Sequence, residues 1–416
     1  MAQKKILFVT HLFHPAPGGV ETHLHRLSQG LVKKDYQVRV LTTNAYSTEA
    51  FFLNDKRRMA LGKEFIDDVE VERLGFQTFG RRTLNILRSL ACRIKYPLNS
   101  WIRTFSYGPR NPRFVEKILE YSPDFLFAAP LPTFNVIYAH RAFQKLKVPF
   151  IVIPSYHIHD PCSFHNPIFF QIMRDANLIM AQSEMEKEFL QKEADIHPKK
   201  IVIFPPLPLT EKDLTPAKPS DSKQNLRKKY GIHEKKVILY LGQHGRHKNI
   251  EPVINAMPFI WHAVQDTALV IAGGTTKHTQ HIKSMAKKLE PTYGQKIHFI
   301  DNFPQKDKND IFNMADIFMC LSEFESFGIV FAEALVHGLP VIASCFGVAS
   351  SIIENFKTGL LVNPRCDVEV SGAALELLLD EEIRKQYGDH ARQTAFTKYH
   401  PQAILDKWEQ HLSSLS

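Results

Sequence analysis

The chain of 416 residues carries 52 Lys and Arg against 43 Asp and Glu, a net charge of +9, and is 44% hydrophobic. That length exceeds one ordinary core and predicts two or three domains; no apolar run reaches the roughly 18 residues of a membrane span, and no nucleic-acid-binding motif accompanies the positive charge. Scattered cysteines (92, 162, 320, 345, 366) without a CxxC pair predict reduced thiols, no structural zinc and a cytosolic location.

The first apolar run, Ile6-Leu7-Phe8-Val9, is stopped by His11, His14, Pro15 and Pro17, too soon for a signal sequence, and predicts a strand at 4–10. A loop ending in Gly18-Gly19-Val20 follows, then a helix through Leu24, Leu27 and Leu31 and a strand at 37–42, a βαβ opening. Paired glycines let backbone approach a ligand closely; the GxGxxG fingerprint of a dinucleotide cofactor is absent. Residues 1–113 hold the whole charge excess, with 19 Lys and Arg against 9 Asp and Glu. Its densest part, 81–113, has eight cations, no acid, and apolar residues near a 3.5-residue period. Such a stretch either lies peripherally on an anionic membrane or buries one face in its own domain.

Buried strands are predicted at 124–129, 150–153, 177–181 and 201–204. The loop after the second of these carries His157, His159 and Asp160, a polar loop rather than a metal site, because no third distant ligand accompanies it. Gln182-Ser183 reads as a helix N-cap. Pro205, Pro206, Pro208, Pro216 and Pro219 cannot sustain regular structure and predict a linker near 205–222. The second half restarts with strands at 237–241, 268–272, 296–300, 317–321 and 340–343, with 352–362 irregular. Helices at 368–379, 383–396 and, after Pro401, 403–415 complete the chain. Alternating strands and helices in both halves predict an α/β protein of two doubly wound domains, with a ligand cleft between them.

The second half's strand-end loops carry the chemistry. Arg246 and Lys248 follow one strand and Gly273-Gly274 another. A third leads into Glu325-Ser326-Phe327-Gly328-Ile329-Val330-Phe331-Ala332-Glu333. A helix starting near Gly328 offers free N–H groups and a positive dipole end to a phosphate. Two cations suit a diphosphate, and carboxylates suit sugar and ribose hydroxyls. There is no P-loop for ATP, and no Asp-x-Asp in a strand-end loop to hold a divalent metal.

With these residues in place the chain resembles the retaining nucleotide-sugar glycosyltransferases of the two-Rossmann-domain (GT-B) type, glycosyltransferase family 4. The stretch 325–343, with Gly338, Pro340 and Val341, is similar to the family's Glu-x7-Glu motif. Residues 15–21 resemble its acceptor-side glycine loop, and Gly242 with Lys248 and Asn249 its diphosphate loop. The resemblance implies that Glu325 contacts donor-sugar hydroxyls, Glu333 the ribose, and Lys248 the diphosphate, with Arg246 a displaced candidate for the charge of the Arg that the family has where Gln243 stands. It also implies that Ser326, Phe327, Gly328, Ile329, Val330 and Gly273 line the donor site, and that Gly18 and Gly19 lie beside the diphosphate with His157 near the transferred sugar.

The implied fold has an N-terminal acceptor-side domain at 1–207, joined by a final helix at 400–416, and a donor domain at 208–399. The implied reaction retains configuration and uses no metal or other cofactor. It moves a UDP- or GDP-linked sugar to a glycan or lipid-linked acceptor in the cytoplasm; the basic stretch 81–113 adds the expectation of peripheral contact with an anionic membrane, and no nucleic-acid partner is expected. The chain departs from the family pattern at Gln243, where Arg is usual, at Pro205-Pro206-Leu207, at Gly273-Gly274 and at Ser350-Ser351. Those departures leave open a non-catalytic partner subunit, or an epimerase or hydrolase of the same fold.

Overall fold

A computed structural model describes residues 3–52, 55–77, 86, 100, 102–104, 108–158, 160–214, 221–323, 325 and 327–415. Most of the basic stretch 81–113, together with His159 and Ser326, lies outside the described residues. The chain divides into two compact units, one of Met1–Leu207 with Gln402–Ser416 and one of Pro208–Pro401.

The first unit is built on an eight-stranded sheet of β1 (Lys5–Thr10), β2 (Gln37–Thr43), β3 (Gly62–Ile66), β4 (Val69–Leu74), β5 (Phe125–Ala129), β6 (Phe150–Val152), β7 (Leu178–Ala181) and β8 (Ile201–Ile203). The strand order is β3-β4-β2-β1-β5-β6-β7-β8, parallel throughout except for the β3–β4 hairpin. A sheet covered on both faces needs strands apolar at every position. β1 shows this: Ile6 and Phe8 enter one core with Leu24, Leu27 and Leu31, while Leu7 and Val9 enter the opposite one with Ile118 and Phe150. Six of the eight strands coincide within about two residues with the runs expected from apolar patterning. The β3–β4 hairpin does not; it turns at Asp67 and Asp68, whose φ values of 47° and 67° suit a tight hairpin turn. Its outer strand is largely exposed, so it lacks the apolar run that marks a buried strand.

The final helix, Pro401–Ser414, packs on this first unit. Trp408 is 1% exposed and sits 4.8 Å from Phe204 and 5.5 Å from Phe127, ring to ring. Lys34 holds Asp406 at 2.5 Å. Gly30 makes the contact possible, since a Cβ there would lie 2.6 Å from Leu405. Pro401 stands at the first position of the helix, where its missing N–H costs nothing.

The second unit has six strands, β9 (Lys236–Leu241), β10 (Thr267–Gly273), β11 (Ile297–Asp301), β12 (Ile317–Cys320), β13 (Val341–Ser344) and β14 (Gly359–Val362). They are all parallel, in the order β11-β10-β9-β12-β13-β14. β14 corrects the expectation that 352–362 is irregular. Gly359 lies so close to β13 that a Cβ would stand 1.9 Å from the Val341 carbonyl oxygen, and this glycine start leaves only three apolar residues to mark the strand. In this sheet the strand order reverses between β9 and β12. The loops at their carboxyl ends therefore splay apart, and ligands bind at such switch points in open α/β sheets. Among the described residues no helix is long and apolar enough to cross a membrane.

Candidate donor site in the second unit

After β9 the chain runs backbone to backbone with the end of β10. Gly242 N–H donates to the Ala272 carbonyl at 2.9 Å and His244 N–H to the Gly274 carbonyl at 2.8 Å. A Cβ on Gly273 would stand 1.8 Å from the Gly242 carbonyl oxygen, and its φ of 147° lies where side chains are rarely tolerated. The residues Arg246–Lys248 then form one 3-10 turn, closed by Asn249 in the left-handed region. The Asn249 amide donates to the Leu321 carbonyl at 3.1 Å, which ties this loop to the end of β12.

That tie brings Lys248 to Glu325. The ammonium stands 2.5 Å from Glu325 Oε1, with the two side chains 19% and 13% exposed. Burial alone would lower the Lys248 pKa, but the Glu325 charge and hydrogen bond outweigh it and the net shift is upward. Arg246, two residues earlier, is exposed and forms no ion pair or side-chain hydrogen bond with the described residues. The site thus holds one cation committed to a carboxylate and one available to an anion.

From Glu325 the chain passes through Phe327, buried against Tyr399, to Gly328. Gly328 is the N-cap of the helix Ile329–Val336 with φ 80°, and a Cβ there would meet Phe331 at 2.6 Å. The helix begins where the sequence places it. Ile329 and Val330 are half-buried at its first turn, where backbone N–H groups lack partners within the helix. Glu333, on the second turn, is only 7% exposed. Its carboxylate is held by Lys308, whose Nζ lies 2.6 Å from Oε1 and 2.6 Å from Oε2. Nothing in the sequence singles out Lys308, which sits in the polar run Gln305-Lys306-Asp307-Lys308-Asn309-Asp310 that looks like solvated surface. Ser350 and Ser351, where the family pattern has other residues, turn their hydroxyls onto the carbonyls of Gly347 and Val348.

The expected residues of the first unit are placed by that unit alone. Gly18 precedes the helix Gly19–Lys33 in an extended conformation, and a Cβ there would lie 2.0 Å from Glu21 Oε2. The Glu21 carboxylate therefore folds back beneath Gly18, whereas Gly19 has open space above its Cα. Glu21 is buried, which pushes its pKa up to about 7, and His11 Nε2 stands 4.0 Å away with its own pKa brought down to about 3 by burial. His157 follows β6, half-buried, with its ring 5.0 Å from that of Phe164. Its loop is pinned by buried Glu186, which accepts from Tyr156 N–H at 2.8 Å and Gln182 N–H at 2.6 Å. The expected cap is present, since Ser183 Oγ accepts from Glu186 N–H at 3.2 Å. Of the basic stretch, Arg103 is buried and donates to the His165 carbonyl at 2.6 Å, an inward role.

Two family models match almost end to end: Glycosyltransferase Family 4 over residues 17–207 and Glycosyl transferases group 1 over 222–394. Among characterised relatives, N-acetyl-alpha-D-glucosaminyl L-malate synthase of Bacillus anthracis is 28% identical over 171 residues, 41% of this chain and 43% of that protein. A GDP-mannose-dependent alpha-(1-6)-phosphatidylinositol monomannoside mannosyltransferase of Mycobacterium tuberculosis is 32% identical over 158 residues, 35% of this chain and 39% of that protein. The matched part is thus less than half the length of either relative. Over the whole chain, sucrose-phosphate synthase from Thermosynechococcus elongatus superimposes with a TM-score of 0.76 at 17% identity, covering 99% of both chains. The sheet order, the glycine-capped helix and these matches converge: the chain belongs to the GT-B glycosyltransferases of family 4.

Proposed function

We propose that the protein is a retaining glycosyltransferase that moves a sugar from a UDP- or GDP-linked donor to a glycan or lipid-linked acceptor without a divalent metal. The observation that carries this reading is the Lys248–Glu325 pair beside the glycine-capped N-terminus of the helix Ile329–Val336, with exposed Arg246 close by in sequence. The donor diphosphate takes Lys248, Arg246 and the free N–H groups of that helix, so that protein cations neutralise the charge a metal would otherwise carry. Released from Lys248, Glu325 accepts hydrogen bonds from the donor sugar, while Glu333 receives the ribose hydroxyls.

In the reaction the bond between the anomeric carbon and the diphosphate oxygen breaks as the acceptor hydroxyl attacks from the same face. Its proton passes to the departing phosphate oxygen. The enzyme contributes position and charge stabilisation. A lipid-linked acceptor and peripheral contact of 81–113 with an anionic membrane are supported by the charge of that stretch and by the mycobacterial relative, which acts on a phosphatidylinositol monomannoside.

The test is thermal unfolding with UDP, GDP, ADP and CMP, in EDTA and in magnesium. Ligand at about 100 times its Kd stabilises by about 2.7 kcal/mol. Stabilisation by UDP or GDP in EDTA, lost in Lys248→Ala, is expected. Stabilisation that requires magnesium overturns metal independence, and no shift with any nucleotide favours the non-catalytic partner.

A further inference from the structure

We infer that Thr276 is a positioning residue for the loop that takes the donor diphosphate. Its hydroxyl ties down the His244 carbonyl, so that the loop meets the phosphates with cations and not with a free carbonyl dipole. This rests on the nucleotide-sugar reading above. The loop runs from Gly242 to Asn249 and carries Arg246 and Lys248. With two glycines and a single 3-10 turn it has little stiffness of its own. Its carbonyls from Gln243 to His247 are nonetheless all engaged. Gln243 accepts from the Tyr240 hydroxyl at 3.2 Å, Gly245 from Lys248 N–H at 2.9 Å, Arg246 from Asn249 N–H at 3.3 Å and His247 from the Ser322 hydroxyl at 3.3 Å. His244 accepts from Thr276 Oγ1 at 2.5 Å.

A helix cap does not account for Thr276. The helix Thr279–Tyr293 that follows has His278 at its cap position, with no capping bond from that side chain. A hydroxyl both donates and accepts: that of Thr276 accepts from His278 N–H at 3.0 Å and gives its own proton to the loop, so one side chain joins the start of the helix to the loop after β9. His244 is 0% exposed, and its Nδ1 lies 3.4 Å from the Thr279 hydroxyl. A second tie stands at the far end of the loop, where His278 Nε2 is 2.8 Å from the carboxylate of Glu251, the first residue of the helix Glu251–Ala263. Residues 276–279 thus splint the cationic loop near both of its ends. A carbonyl that loses a buried donor turns toward water or another donor. Turning the His244–Gly245 peptide frees an oxygen that repels phosphate, and it displaces Arg246, the next residue.

The experiment is calorimetric titration of the full chain with UDP, GDP and ADP, for the native protein, Thr276→Val, Thr276→Ser, Arg246→Ala and the double variant of Thr276→Val with Arg246→Ala. Valine keeps the shape of threonine without the hydroxyl, and serine keeps the hydroxyl. Thr276→Val is expected to weaken the bound nucleotide about fivefold or more in Kd, as the loss of one hydrogen bond predicts. Thr276→Ser is expected to bind as the native protein does. In the double variant the loss is expected to fall short of the product of the two single losses, because both act through one loop. Native affinity in Thr276→Val overturns the inference, even where the melting temperature falls, since the role is then structural. Equal weakening by valine and serine overturns it, because the hydroxyl is then not the cause. Losses that multiply in the double variant also overturn it, because Thr276 then acts apart from Arg246. In each of those cases the donor reading stands. Failure of every nucleotide to bind the native protein removes the donor reading and this inference with it.

Discussion

The Lys248–Glu325 pair makes a prediction with two separable parts. Its N–O distance is 2.5 Å and the partners are 19% and 13% exposed, between a surface pair and a fully enclosed one. Exposed pairs contribute up to about 1 kcal/mol, whereas deleting one partner of an enclosed pair costs about 3–5 kcal/mol. Lys248→Met should therefore destabilise the nucleotide-free protein by about 2 kcal/mol, because Glu325 is left charged in a poorly hydrated pocket. Glu325→Gln should cost a similar amount. The double variant should recover about half of a single variant's loss, to a cost of about 1 kcal/mol, giving a coupling energy of about 3 kcal/mol. Urea midpoints at unchanged slope measure this directly. Nucleotide-induced stabilisation should behave differently: the double variant regains stability but not the response to UDP or GDP, since the diphosphate has lost its cation. A coupling energy below about 0.5 kcal/mol refutes the structural reasoning. A double variant that still responds fully to nucleotide refutes the assignment of Lys248 to the diphosphate. The pH sense is also fixed. Lys248 has a folded pKa raised above its unfolded value. Its stabilisation is complete below the unfolded lysine value and is lost only as pH rises through the folded one, so it is constant across neutral pH.

Two further predictions follow from the loops of the two units. Gly273→Ala should abolish the response to nucleotide and cost several kcal/mol, on the order of the 3 kcal/mol upper range for a strained backbone position or more, since the new Cβ meets backbone at 1.8 Å with no side chain able to yield; native-like stability in urea together with normal nucleotide stabilisation would falsify the close approach. Glu21, whose pKa is raised by burial from 4.5 to about 7, binds its proton more tightly when folded, so its contribution is complete below about pH 4.5 and is lost as pH rises to about 7. Glu21→Gln should accordingly flatten the decline in urea midpoint over that window relative to the native protein, and an unchanged pH profile argues against burial of the carboxyl.

Much of the donor side is legible in the chain itself because its signals are local. A fully apolar run such as Ile317-Phe318-Met319-Cys320, short and bounded by loop residues, reads as a strand covered on both faces. A glycine before Ile329 and a carboxylate on either side of it describe a helix start that needs no partner to recognise. The β3–β4 hairpin and β14 escaped because β3 is exposed, β4 is interrupted by Glu70, Glu72 and Arg73, and β14 offers only three apolar residues after a glycine, so none presents an unbroken apolar run. Lys308 escaped for another reason: a lysine among lysines and aspartates has no pattern, and only the path of the chain from β11 to β12 selects it from its neighbours. Arg103, one of eight cations in a stretch that reads as a charged face, is likewise turned inward toward the His165 carbonyl by contacts about 60 residues away in sequence.

The alternation of strands and helices, the glycine-capped helix and the carboxylates of the donor motif follow from the chain's local order, because backbone propensity and apolar periodicity act over neighbouring residues. Folding in three dimensions selects which cation meets which carboxylate, makes room at Gly18 for Glu21 while Gly19 stays open, and closes the core of the first unit with the last helix through Trp408. These are choices among residues far apart in sequence. They are settled by sheet order and by the burial of charges that must find partners once water is excluded.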